Sequence, residues 1–496
     1  MIWYLESTLT AVQKKNWMVH LYTFLLRKDI LPVHYYCWKT RLSTLIPLAL
    51  FAALFLLLSG CTYTVNNTFP PAVPEAPSYS PADPSGDMLP HHWWTVFDDP
   101  KLNASIDKAL SDNFTLKKGY ARMSQALHSR KKTASLLYPQ LDSNFSGTST
   151  WFSGESQENR NNLTLDLSWE IDFWGKLSSA DKAALFDFEA GRDDVETVAL
   201  LLSSQVADNY FQLIEQKLQL ELLEKQIKVH ETFLDLITLR FANGAASVVD
   251  VYQQRQLLAA DRAKMPLIHT QIATLGNRLD ILMGMAPVST SLPTTYSLPS
   301  LPPIPLLGVP ADLLQNRPDL RMLHKNLLAA DHRVAAAVAD RLPQITIGGT
   351  GGLLNGDLFL TLFGDAFASI VNWGSLKGEV EKQKAVVQEI LADYSQSYIT
   401  AIEEVENALV TEKNHMDLLK ALDDQLIISQ ATLKETRNQY MQGLTDYLPV
   451  LSALVSLQNL ERDILTRHRQ LISIRILLYR ALGGAPILDA FPPATG

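Results

Sequence analysis

A few groupings of residue types in this chain could do chemistry. Gly348-Gly349-Thr350-Gly351-Gly352 has the small-residue density of a phosphate-cradling loop. It lacks the spaced Lys-Ser/Thr pair of a nucleotide site, so small residues in a strand explain it better. His91-His92 could ligate a metal, but adjacent side chains point apart and no carboxylate cluster supports them. Glu403, Glu404 and Glu406 fall within a long helical pattern and read as a solvated face. No Ser-His-Asp or Cys-His set has supporting context. The chain reads as a non-enzyme with no cofactor and no metal.

Cys61 is the residue whose chemistry has a context. Leu42 to Leu58 is apolar, follows the basic Lys39 and Arg41, and ends at Leu58-Ser59-Gly60-Cys61. A basic start, an apolar middle and small residues at the end make an export signal rather than a stop-transfer helix. The tetrapeptide resembles a bacterial lipobox, which implies cleavage before Cys61 and lipid on its sulfur. The forty residues ahead of the apolar run are unusually long for a signal, which a wrongly assigned start codon would explain. The other cysteine, Cys37, lies in the part expected to be removed. Structural disulfides and thiolate metal sites are thereby excluded. Pro70, Pro71, Pro74, Pro77, Pro81, Pro84 and Pro90 follow, giving an extended tether that packs no core.

The elements that position these groups come in two copies. Asn113-Phe-Thr-Leu116 lines up with Arg317-Pro-Asp-Leu320, and Tyr138-Pro-Gln-Leu141 with Leu342-Pro-Gln-Ile345, both at an offset of 204. Trp174-Gly175 lines up with Trp373-Gly374, Gly244 with Gly443, and Gly284–Pro287 with Gly483–Pro486, all at 199. The offset changes once, by five residues, inside what reads as a hairpin, where loop length costs little to vary. Each copy predicts a helix of about thirty residues (102–137 and 311–340) and then a short strand region. A very long helix follows (177–241 and 376–442), then a glycine turn, then a returning helix (248–283 and 451–482).

The long helices carry no proline and one glycine each, Gly191 and Gly378. At ~1.5 Å per residue each spans about 100 Å. Such a helix survives by packing along others as a coiled coil. Val206, Tyr210, Leu213, Leu220, Leu223 and Ile227 supply the stripe in the first copy; Val405, Leu409, Leu418, Leu419, Leu422, Ile427 and Ile428 supply it in the second.

Leu163, Leu165, Leu167, Trp169, Ile171 and Phe173 alternate with Thr164, Asp166, Ser168, Glu170 and Asp172. Strict period two with one greasy and one acidic face fits the edge of a soluble sheet and is also the pattern of a membrane β-barrel strand. Trp169, Phe173 and Trp174 would suit an interfacial girdle at one end, with Trp373 as the second-copy counterpart. In the second copy Ile345, Ile347, Gly349 and Gly351 form one strand, and Phe367, Ser369, Val371 and Trp373 its return. Two hairpins give four strands. Four strands cannot close a barrel, and open edges in lipid are costly, so several copies must share one. Two would give eight strands, whose interior fills with side chains; three would give twelve and leave a lumen.

The net charge is −9, yet residues 1–60 hold six basic against two acidic side chains, so the body is acidic. That argues against nucleic acid as a partner. With 47% hydrophobic and 19% charged residues, the chain is neither disordered nor a polytopic helical membrane protein.

These landmarks resemble the outer-membrane efflux protein family, which contains TolC and the lipidated OprM-type channels, over about residues 61–487. The most specific pieces are Trp93-Trp94-Thr95-Val96-Phe97-Asp98-Asp99-Pro100-Lys101-Leu102, Trp169-Glu170-Ile171-Asp172-Phe173-Trp174-Gly175, Arg317-Pro318-Asp319-Leu320 and Gly443 through Leu451. The resemblance implies a mainly α fold with a small β part: a homotrimer, four strands per protomer in a shared twelve-stranded barrel, continued by a long periplasmic α-barrel. It implies an outer-membrane location with lipid contact, a periplasmic membrane-fusion adaptor and an inner-membrane resistance-nodulation-division pump. It also implies that the turns at Gly244 and Gly443 form the periplasmic tip, with Asp250, Asp446 and Tyr447 as aperture candidates. The equivalent of Asp250 is Pro449, so the two tips differ.

The expected organisation is an extension and lipoprotein signal over 1–60 and a lipid-anchored tether over 61–90. The first repeat covers 91–288, a Pro-rich linker 289–310, the second repeat 311–487 and a tail 488–496. The function implied is passive conduction of drugs or other small molecules in a tripartite efflux system. A type I protein-secretion channel and a structural periplasmic coiled-coil lipoprotein are the alternatives.

Overall fold

The computed structural model describes residues 63–65, 79, 90, 92–151, 158–288, 297–369 and 371–484. Cys61, the extension over 1–60, most of the tether, part of the linker and the tail over 488–496 lie outside the described residues.

Two helices of equal length dominate. The first repeat comprises a 3-10 turn (Trp93–Phe97), α1 (Pro100–Asp112), α2 (Phe114–Ser135), β1 (Gln140–Thr150), β2 (Glu158–Ile171), α3 (Lys176–Ala242) and α4 (Val248–Leu282). The second has a 3-10 turn (Pro310–Asp312), α5 (Leu313–Asn316), α6 (Pro318–Ala339), β3 (Gln344–Leu354), β4 (Asp357–Phe367), α7 (Ser375–Met441) and α8 (Tyr447–Ala481). The same element order occurs twice, and α3 and α7 each hold 67 residues.

Three sequence expectations are corrected. The leading helix is not continuous: it breaks at Asn113 and at Arg317, equivalent positions in the two copies. Asn113 adopts an extended backbone, and its side chain accepts from Thr115 N–H and Leu116 N–H, capping α2. Arg317 precedes Pro318, which disfavours helical backbone at Arg317 and starts α6 at its first position. Each break residue also reaches the C-terminal carbonyl of its repeat's returning helix. Asn113 Nδ2 donates to Leu282 O at 2.9 Å, and Arg317 Nη1 to Ala481 O at 3.2 Å.

The second return strand is also not where alternation at 367–373 placed it. β4 begins at Asp357, directly after Asn355-Gly356, whose φ of 54° and 99° make the two-residue turn that matches strand twist. Between β1 and β2 lie seven positions, 151–157; between β3 and β4 lie two. The five-residue change of offset is therefore this loop. Finally, the tether touches the core. Tyr79 is buried with Leu313, Leu320 and Tyr398, and Tyr63 Oη donates to Asp331 of α6. Single aromatics of the tether thus find pockets in the body.

The four strands form one antiparallel sheet in the order β1-β2-β3-β4, so the repeats join through β2 and β3. The largest core gathers Trp93, Trp94 and Phe97 against α3 and α8. Trp93 Nε1 donates to Ser203 Oγ at 3.2 Å, and its ring lies 5.7 Å from Tyr479. Another core sits where the two long hairpins end: Phe233, Ile237 and Val251 from the first, Tyr440, Tyr447, Val450 and Leu454 from the second. The α3 stripe is buried along most of its length, whereas Leu418, Ile427 and Ile428 of α7 are exposed. Among the described residues no helix is long and apolar enough to cross a membrane.

Candidate functional site

Register assigns every strand residue to a face. Asp142 pairs with Asp166, Asp166 with Thr350, and Thr350 with Thr361. Because side chains alternate, this row shares its face with Asn144, Thr164, Ser168, Glu170, Thr346 and Asp365. The opposite face carries Leu141, Phe145, Leu163, Leu165, Leu167, Ile347, Leu358, Leu360 and Leu362, most of them exposed. On the polar face Asp166 accepts from Thr350 Oγ1 at 2.7 Å and from Thr164 Oγ1 at 3.0 Å. Among the described residues β1 and β4 each have one neighbour strand, leaving two open edges.

At its helical end the sheet is tied to the helices by the predicted aromatics. Trp169 Nε1 donates to Leu137 O at 3.0 Å, and Trp174 Nε1 to Pro343 O at 2.8 Å. Phe173 stands edge-on to Trp174 at 4.7 Å and is half exposed. Trp373 is 96% exposed. β2 ends at Ile171, so Asp172 does not belong to the acidic row. Its carboxylate accepts from Leu177 N–H and Ser178 N–H, both at 2.8 Å, and so caps α3. An acidic residue alternating with apolar ones signals strand, whereas a carboxylate just before a long helix also signals a cap.

The other end of the helices holds the two glycine turns. Gly244 and Gly443 have φ of 73° and 75°. Ala245 N–H donates to Arg240 O at 2.8 Å and Leu444 N–H to Gln439 O at 2.9 Å, the six-to-one bond that closes a helix over a left-handed glycine. The returning helices start differently. Ser247 heads α4, and Asp250 accepts from its N–H at 3.0 Å in a capping box. Asp446 heads α8 and makes no side-chain bond to it. α8 begins four residues earlier than expected, because Pro449 lies in its first turn, where a missing N–H breaks no helical bond. Tyr447 is buried, its hydroxyl donating to Gln254 Oε1 at 2.6 Å. Burial, then Tyr440 and Asp250, push that hydroxyl's pKa up. The Arg240 guanidinium lies 4.6 Å over the Tyr440 ring, joining one tip to the other. Gln254, His230 and Gln458, which sequence reading did not single out, form the polar centre behind Tyr447.

A two-faced sheet with open edges on top of hairpins about 100 Å long defines a β-plus-α conduit subunit. The model of the family "Outer membrane efflux protein" matches residues 105–285 and 309–484, and the chain belongs to that family. Toluene efflux pump outer membrane protein TtgF of Pseudomonas putida is 29% identical over 87% of this chain and 95% of its own length. Pyoverdine export outer membrane protein OpmQ of Pseudomonas putida is 28% identical over 84% of this chain and 92% of its own. Among solved structures, the open-state MtrE outer membrane channel of Neisseria gonorrhoeae superposes with a TM-score of 0.77 at 22% identity, covering 86% and 98% of the two chains.

Proposed function

We propose that three copies of this chain form the outer-membrane channel of a tripartite efflux system. The observation that carries this is the sheet: one polar and one largely apolar face, with both edges unpaired among the described residues. Unpaired backbone groups in lipid cost several kcal/mol each, so the edges of one protomer's sheet must meet those of others. Three sheets give twelve strands around a water-filled lumen lined by the Asp142–Asp166–Thr350–Thr361 row. The exposed stripe of α7 at Leu418, Ile427 and Ile428 is covered by a neighbouring copy. Trp169, Phe173, Trp174 and Trp373 lie at the inner interface, and lipid on Cys61 holds the chain to the membrane.

In this reading the turns at Gly244 and Gly443 form the periplasmic tip, where a membrane-fusion adaptor and an inner-membrane resistance-nodulation-division pump engage. Asp250, Asp446 and Tyr447 stand at the aperture, with Asp446 offering a carboxylate not used to cap its own helix. Related proteins are named for toluene and for pyoverdine, which fits a duct whose cargo is chosen elsewhere in the assembly. Native mass spectrometry of detergent-extracted protein is expected to give a trimer, and planar bilayers a stable conductance. A non-conducting monomer would sink the reading.

A further inference from the structure

We propose that His230 is a proton-operated clasp between the two repeats. Its ring is fully buried near the tip, on α3, and is gripped from both neighbouring helices. Nε2 faces Gln458 Oε1 of α8 at 2.8 Å and Asp261 Oδ2 of α4 at 3.1 Å. Both are acceptors, so Nε2 carries the hydrogen. Nδ1 faces Gln254 Nε2 of α4, a donor, at 3.2 Å, so Nδ1 is bare. Gln254 Nε2 also donates to His230 O at 2.8 Å, and Gln254 Oε1 receives the Tyr447 hydroxyl at 2.6 Å. The neutral ring thus satisfies a chain of polar groups from α3 through α4 to the first residue of α8.

A proton on Nδ1 breaks that chain. Two donors would then face each other, and the Gln254 amide must turn over. Turning it removes the bond to His230 O and points the amide N–H groups at the Tyr447 hydroxyl, ending that hydroxyl's donation to the amide oxygen. The surrounding charges oppose one another: Asp261 favours a charged ring, while Lys264 of α4 and Arg462 of α8 disfavour it. Glu461 of α8 is occupied by the Gln226 amide at 3.0 Å, and Glu231 beside His230 by Arg262 at 2.6 Å. Burial outweighs the rest and holds the ring's pKa below its ordinary value.

Farther along the same pair of helices the contact is polar. Between α3 and α8, Glu215 takes Thr466 Oγ1 and Arg469 Nε, both at 2.9 Å. At the clasp itself Tyr447, Val450 and Leu454 pack on Phe233, Ile237 and Val251, so loss of the buried hydrogen bonds loosens the start of α8 while this apolar contact remains.

Hydrogen exchange of the purified full chain in detergent, from about pH 7.5 to 5, tests this once corrected for the intrinsic pH dependence of amide exchange. Opening of residues 447–458 is expected to become about tenfold easier per pH unit below about 6.5, the linkage of one proton. His230→Gln cannot take up that proton and is expected to flatten the profile. Asp261→Asn removes the carboxylate that favours the charged ring, and should extend the steep region to lower pH. Protection that ignores pH in the unaltered protein overturns the proposal, as does an unchanged profile in either variant. The motion read out lies within one protomer, so the result stands whether or not the assembly conducts.

Discussion

Asn113 and Arg317 show how one side chain can end a helix, begin the next and fasten a third. Asn113→Ala loses the cap on α2 and the bond to Leu282 O, and should destabilise by about 1–2 kcal/mol. Asn113→Asp keeps the cap and forfeits only the donor, so its thermal midpoint should fall between those of the alanine variant and the parent. The Arg475–Glu412 pair sits deeper, both side chains almost wholly buried, and Arg475 Nη1 also donates to Pro302 O and Pro303 O at 2.6 and 2.9 Å. Glu412→Gln leaves a buried guanidinium short of its counter-charge and is expected to cost about 3–5 kcal/mol. Replacing both partners by apolar residues should recover only part of that loss in denaturant unfolding, because the two linker carbonyls lose their donor. No spacing rule marks Arg475 in the sequence: its partner lies on another helix, and pairing at that distance is settled only by the fold.

Elements were legible in proportion to how much a single periodicity governs them. The limits of α3 and α7 follow from long proline-free runs and the closing glycines, and β2 from strict alternation. β4 was hidden because both of its faces are partly apolar: Phe359 and Phe363 share the polar face with Thr361. The Phe363 ring lies across Gly348, where an added Cβ would come within 2.6 Å of it, so this aromatic fills space left by a glycine on the next strand. The Asn355-Gly356 pair was the available signal. The glycines themselves divide into two kinds. At Gly443 a Cβ would meet nothing within 4 Å, so Gly443→Ala should cost only the left-handed backbone strain, about 1–2 kcal/mol. At Gly284 a Cβ would stand 2.5 Å from Asp112 O. Gly284→Ala must therefore also push α4 away from α1, and its loss of thermal stability should exceed that of Gly443→Ala clearly; equal losses would contradict this packing.

At the scale of the whole molecule, burial makes the body sensitive to acid. His324 and His332 of α6 are pushed below the ordinary histidine value, first by burial and then by Lys325 and Lys182 respectively. A group whose folded pKa is depressed binds its proton more readily once unfolded. Its contribution is complete above about pH 6.5 and is lost as pH falls through that value toward the folded one. The unfolding midpoint should hold steady above about pH 6.5 and decline below it, and His332→Gln should shallow the decline. The duplicated plan of the molecule was plain from sequence, because glycines and prolines at turns leave fixed offsets. The ties between repeats were not: Arg321 with Asp193 at 3.0 Å and with Glu196, Lys325 with Glu189 at 2.5 Å, and Arg333 with Asp187 at 2.5 Å all link α6 to α3 across more than a hundred residues.

The unequal loops, seven positions after β1 and two after β3, have a consequence outside the duct. If the glycine turns face the periplasm, as proposed above, the strand connections lie at the opposite end, three of seven positions and three of two in a three-fold assembly. A short epitope inserted between Ser153 and Gly154 should therefore be displayed on intact cells with export preserved. The same epitope between Asn355 and Gly356 would replace a turn that has no residue to spare, and surface protein itself should vanish.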